Sequence, residues 1–174
     1  MKPLYYILLF IFSFQNSKDS ISLKTFSKKM KHSFTINSKA KDFYNIDSKN
    51  LSSSIEKLSL KAKKSHKNIY GQTTYSRINI EKYDFENEEL CKQAKDILIN
   101  CFPRSCSKIK KGEEIGIKIV PSIFLLGKKS IIVAKIPCEQ VDEKWENFKN
   151  TLIETYKEPK TEIIVSKCGK VIWK

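Results

Sequence analysis

GIKIVPSIFLLGKKSIIVAKIPCEQVDEKWENFKNTL, residues 116–152, carries the clearest patterning in the chain. Two apolar runs, GIKIVPSIFLL and SIIVAKI, flank Gly127-Lys128-Lys129. Runs of this length joined by a short glycine-containing link read as a β-hairpin whose strands are largely buried. The register then changes. Val141, Trp145, Phe148, Leu152 and Tyr156 recur at spacings of four, three, four and four, one face of a helix expected over 139–157. Asp142 and Glu143 occupy its first turn, where negative charge meets the positive end of the helix dipole, and Pro159 ends it.

Working outward, YSRINI at 75–80 reads as a strand. A helix follows over 86–101, capped by Asp84 or Asn87, with Leu90, Ala94, Ile97 and Cys101 on one face and Pro103 beyond it. After a basic loop and the quoted stretch, TEIIVSKC and VIWK form a second hairpin about Gly169-Lys170, with glycine first in a type II′ link. The expected architecture is therefore α+β: a small mixed or antiparallel sheet with two or three helices, spanning 68–174. Val141, Trp145, Phe148 and Leu152 should face the sheet.

The stretch 116–152 resembles the C-terminal half of the thioredoxin-like fold, where a short segment enters a cis-proline and continues as strand, tight turn, strand and closing helix. The resemblance places Pro121 at the cis-proline, with Ser122 where that family usually has Thr. INIEKYDFENEEL upstream resembles the strand and acidic turn before the family's second helix. Thiol redox chemistry in that family needs Cys-x-x-Cys at a helix start, where the dipole lowers a thiol pKa. The chain has no such motif, and its cysteines all lie beyond the place where it would stand.

Those cysteines are Cys91, Cys101, Cys106, Cys138 and Cys168. In an oxidising compartment five cysteines make up to two disulfides and one leftover thiol, in about fifteen arrangements. Cys101 and Cys106 read first as a local disulfide, with an unpaired buried Cys101 as the alternative. The spacing is not that of a zinc site, and His32 and His66 lie far off in the front part, so no metal is expected. There is no glycine-rich phosphate loop and no Gly-x-Ser-x-Gly, so no cofactor and no catalytic residue is assigned.

The formal net charge is +14, nearly all from lysine, with Arg77 and Arg104 the only arginines. Lysine is a hydrated point charge, suited to loose attraction to polyanions rather than base-specific nucleic-acid reading. Residues 18–67 hold thirteen lysines and four acids, and Lys28, Lys29, Lys31, Lys61, Lys63 and Lys64 form the candidate basic surface. Low hydrophobicity with one-sided charge predicts a poorly ordered segment. The exception is 51–66, where Leu51, Ile55, Leu58 and Ala62 take helical spacing.

Met1-Lys2 precedes an apolar run too short for a typical membrane span, the form of a signal peptide over 1–17. Without a small-x-small cleavage pair, residues 4–14 would instead tether the chain to a membrane; a buried N-terminal element is the alternative. The expected function is that of an exported binding protein whose partner is a protein or a polyanion. A secreted thiol-active protein of thioredoxin-like type is the alternative.

Overall fold

The apolar runs of 116–152 pair as β7 (Ser122–Leu126) and β8 (Ser130–Lys135) in the computed structural model, which describes residues 21–37, 42–102 and 106–173. The expected signal segment and tether lie outside those residues. Among the described residues no helix is long and apolar enough to cross a membrane. All five residues of β7 are buried, because both sheet faces are covered. Gly127 starts the connecting turn, donating its N–H to the Ser130 carbonyl at 2.9 Å. A Cβ there would stand 3.2 Å from that carbonyl oxygen and 3.1 Å from Ser130 Oγ.

The hairpin sits at the centre of an eight-stranded sheet in which every pairing is antiparallel. On one side β8 pairs with β5 (Arg77–Asp84), β5 with β2 (Ser54–Ala62), and β2 with the edge strand β1 (Phe34–Ile36). On the other, β7 pairs with β9 (Glu162–Lys167), β9 with β10 (Lys170–Trp173), and β10 with β6 (Glu114–Gly116). A separate ribbon, β3 (His66–Lys67) with β4 (Thr73–Thr74), projects between β2 and β5.

Strand side chains alternate between faces. The first face presents Leu58, Leu60, Ile78, Ile80, Ile123, Leu125, Ile132 and Ala134 to helices α1 (Leu23–Lys29) and α3 (Glu143–Tyr156). Trp145, Phe148 and Leu152 of α3 are buried there as expected. Removing each from water contributes about 1.5–3 kcal/mol as an upper bound. The Asp142 carboxylate caps α3 by accepting the Lys144 and Trp145 N–H groups. Val141 therefore precedes the helix and is 41% exposed instead of facing the sheet. The second face presents Tyr83, Phe124, Leu126, Ile131 and Val133 to α2 (Glu88–Asn100) and to the segment around 44–51. Asn87 is the cap of α2.

Several expectations are corrected. Residues 51–66 form no helix: 54–62 are β2, where Leu58, Leu60 and Ala62 alternate inward and Ile55 of the expected helical face is 47% exposed. Pairing on both edges outweighs the helical spacing, and the serines at 52–54 favour it little. The front part is not without regular structure. Leu23, Phe26, Met30 and Phe34 anchor α1 and β1 in the first-face core, Phe26 lying edge-on to Phe148 at 5.7 Å. The sheet thus begins well before residue 68. The bond before Pro121 is trans. The all-antiparallel topology does not confirm the thioredoxin-like resemblance. In the last hairpin Lys167 pairs with Lys170, so Gly169, at φ 79°, is the second loop residue rather than the first.

Candidate functional site

The second face changes character from one end of the strands to the other. Near α2 the rung Tyr83–Ile131–Leu126 is apolar. Two rungs further along, Ser59 of β2, Asn79 of β5, Lys135 of β8, Ser122 of β7 and Ser166 of β9 lie side by side in register. This polar rung crosses five strands. Beyond it Lys61 pairs with Arg77.

The β7 and β9 end of the rung is satisfied internally. Ser122 Oγ and Ser166 Oγ both donate to the Val120 carbonyl, at 2.9 and 2.8 Å, and Tyr44 Oη lies 2.6 Å from Ser122 Oγ. Lys135, buried as a residue, directs Nζ to Asp42 Oδ1 at 2.8 Å and lies 4.5 Å from the centre of the Tyr44 ring. Asn79 Nδ2 donates to the Asp42 carbonyl at 2.5 Å. Asn79 Oδ1 and Ser59 Oγ are buried without a hydrogen-bond partner among the described residues. Such orphans are uncommon because desolvating a polar atom costs about 1–3 kcal/mol when nothing replaces water.

Ser59 and Asn79 line a cleft of ≈ 720 Å³. Lys61, Arg77, Lys135 and Asp42 also line it, and the segment 136–140, with Glu139, forms a wall. That wall is fastened twice. Gln140 accepts from Ser76 Oγ and from the Arg77 N–H, and the Cys138–Cys168 disulfide ties it to the β9–β10 turn. The opposite wall is held by Glu81, a buried carboxylate on β5 that accepts from the backbone N–H groups of Tyr44 and Asn45 and from Tyr83 Oη. The Tyr83 phenol is raised by burial and by its hydrogen bond to Glu81. The arrangement is an open pocket whose lining holds the cations of Lys61, Arg77 and Lys135, the carboxylates of Asp42 and Glu139, and the residues of the two unpaired polar atoms.

The predicted site residues distribute as follows. Cys101 pairs with Cys106, and Cys138 with Cys168. Cys91 is free and buried against Gly127, its thiol pushed up to about 11 by burial. No thiolate-forming site results, so the thiol-active alternative gains no support. Of the six lysines singled out, Lys61 alone lines the cleft. Lys28 and Lys29 end α1, Lys31 lies in the turn after it, and Lys63 and Lys64 follow β2. The Lys63 N–H donates to the Ser33 carbonyl at 2.9 Å, which sets Lys63 and Lys64 beside the turn that carries Lys31. Arg104 lies outside the described residues. Ser59, Asn79 and Lys135 were not singled out from sequence. Their only signal is a polar residue interrupting each of KLSLKA, RINIEK and IIVAKI.

No protein-family model, curated protein or solved structure matches the chain.

Proposed function

We propose that this is an exported binding protein that holds an acidic sugar, the carboxylated unit of an anionic glycan, in the cleft over β2, β5 and β8. One observation carries the reading: Ser59 Oγ and Asn79 Oδ1 are buried and unpartnered in the same-face register pair next to Lys61 and Arg77, and all four residues line the cleft. Asn79 Oδ1 accepts only, and its amide is already engaged, so its complement is a hydroxyl or N–H donor. Lys61 and Arg77 complement an anion, and Arg77 fits a carboxylate through two parallel N–H groups. An acidic sugar presents both kinds of group in one small ring. The apolar N-terminal run supports export, and two disulfides accord with an oxidising compartment.

Titration calorimetry with glucuronate-terminated oligosaccharides tests the reading, with the neutral glucose-terminated series as control. The acidic series should bind, and more weakly as salt rises. Arg77→Ala should weaken it by about tenfold or more, through the loss of its paired charge-assisted hydrogen bonds. Asn79→Leu should lower affinity for both series by removing the acceptor. No heat with any acidic oligosaccharide, or unchanged affinity in both variants, would sink the proposal.

A further inference from the structure

The β3–β4 ribbon serves neither the core nor the cleft. Its tip places Ile69 at 78% and Tyr70 at 72% exposure, the two highest values among the exposed large hydrophobic residues described. Such a tip is ordinarily hydrated and costs stability, yet its backbone is tightly built. The Asn68 N–H donates to the Gln72 carbonyl and the Gly71 N–H to the Asn68 carbonyl, both at 2.9 Å. Asn68 Oδ1 accepts from the Tyr70 and Gln72 N–H groups at 3.0 and 2.9 Å. Four tip N–H groups are thus bonded within the loop, so the tip can leave water with little loss of backbone hydrogen bonding. Gly71, at φ 75°, permits the turn. At the base, His66 Nδ1 lies 3.4 Å from the Asp142 carboxylate, next to the start of α3.

Charge surrounds the tip on one side only. Between Glu56 and Glu81 the chain carries six cations, Lys57, Lys61, Lys63, Lys64, Lys67 and Arg77, and no acid. Lys63, Lys64 and Lys67 are exposed next to the ribbon, and the turn holding Lys31 abuts Lys63. We infer that the ribbon is a membrane-docking finger: Ile69 and Tyr70 enter the interfacial layer of an anionic phospholipid bilayer while Lys63, Lys64 and Lys67 lie among the headgroups. Tyrosine partitions to that layer with its ring in the apolar boundary and its hydroxyl in water. A tip of two exposed apolar side chains with exposed lysines in the chain leading into it suits a bilayer better than a protein groove, since lysine is depleted from protein interfaces.

The inference is independent of the cleft. It is tested by sedimenting the full chain, disulfides intact, with vesicles of phosphatidylcholine alone or mixed with phosphatidylglycerol. Binding should require phosphatidylglycerol. Ile69→Asp with Tyr70→Asp should lower partitioning by about tenfold or more. Each of Lys63→Gln, Lys64→Gln and Lys67→Gln should lower it by about fivefold at low salt. Tyr70→Trp should show an emission blue shift on vesicle addition, and a matching thermal midpoint for every variant establishes that it folds. Equal binding to both vesicle types, retention of binding by the Asp variant, or a bound Tyr70→Trp protein without a blue shift would each overturn the inference.

Discussion

Opening the two disulfides separately should produce unequal losses in a stated order. Cys138–Cys168 joins residues 30 apart in sequence, and Cys101–Cys106 joins residues 5 apart. A cross-link restricts the unfolded chain in proportion to the logarithm of the loop it closes, which gives about 3.6 kcal/mol for the long loop and about 2 kcal/mol for the short one. None of the four cysteines is deeply buried, so serine replacement adds no interior hydroxyl and the comparison isolates the cross-link. The paired variants are Cys138→Ser with Cys168→Ser, and Cys101→Ser with Cys106→Ser. Urea unfolding followed by far-UV circular dichroism, with the denaturant slope fitted freely for each protein, measures the losses. In a chain of this size the long-loop variant should melt about 7–14 °C lower and the short-loop variant about 4–8 °C lower. The structure adds a second expectation. Cys138 lies in the wall of the cleft, so the long-loop variant should also bind acidic sugar more weakly than its stability alone requires. Equal losses, or a larger loss for the short loop, would refute the chain-entropy reasoning.

Lys82, 2% exposed, sits on the first face between Glu56, at 3.2 Å, and Asp84. Lys82→Met should cost about 3 kcal/mol in urea unfolding by removing the cation that Glu56 and Asp84 share, the low end of the range because both carboxylates retain some solvent access and Glu56 still accepts the Leu23 N–H. At Asp47, burial would raise the carboxyl, but the hydrogen bonds from the Ser52 side chain and the Ser52 and Leu51 N–H groups outweigh it and hold the pKa below its usual value. A depressed carboxyl stabilises the fold above its unfolded pKa of about 3.9 and ceases to as pH falls through the lower folded value. Asp47→Asn should therefore be less stable than the native chain at neutral pH, by on the order of 1 kcal/mol, with the gap closing below about pH 4. Cys91, its thiol pushed up to about 11 by burial, should resist Ellman's reagent at pH 8 in the folded protein and react as one equivalent in denaturant; rapid reaction of the native protein would refute its burial.

The central hairpin was legible as two apolar runs and α3 as a helical repeat; α2 was placed by its cap and its proline stop, but it buries Cys91, Ala94 and Leu98 rather than the expected set of Leu90, Ala94, Ile97 and Cys101. Trp145, Phe148 and Leu152 can share a face in no other simple conformation. Residues 51–66 misled for the opposite reason. Leu51, Ile55, Leu58 and Ala62 happen to match a helix, whereas Leu58, Leu60 and Ala62 match a strand, and only the neighbours β1 and β5 decide between them. The front part was misjudged because sparse apolar residues suffice when each is large and lands on an existing core, as Phe26 and Phe34 do. The cleft was hidden because its members are scattered. Ser59, Asn79 and Lys135 become neighbours only through strand register, a long-range property that composition and periodicity do not encode.

The place of the last hairpin has a consequence for how the molecule is made. β9 and β10 follow every other strand in the chain, yet they lie between β7 and β6, both synthesised earlier. While translation is under way, β7 therefore has an open flank of unpaired backbone groups, and β6 has no partner at all. The sheet reaches its final width only when residues 162–173 pair with β7 and give β6 an edge to join. A nascent chain stalled before that point would offer β7 to any extended segment nearby, including β9 of another copy. The bond from Cys138 to Cys168 would then close over the inserted hairpin and lock the late arrival in place.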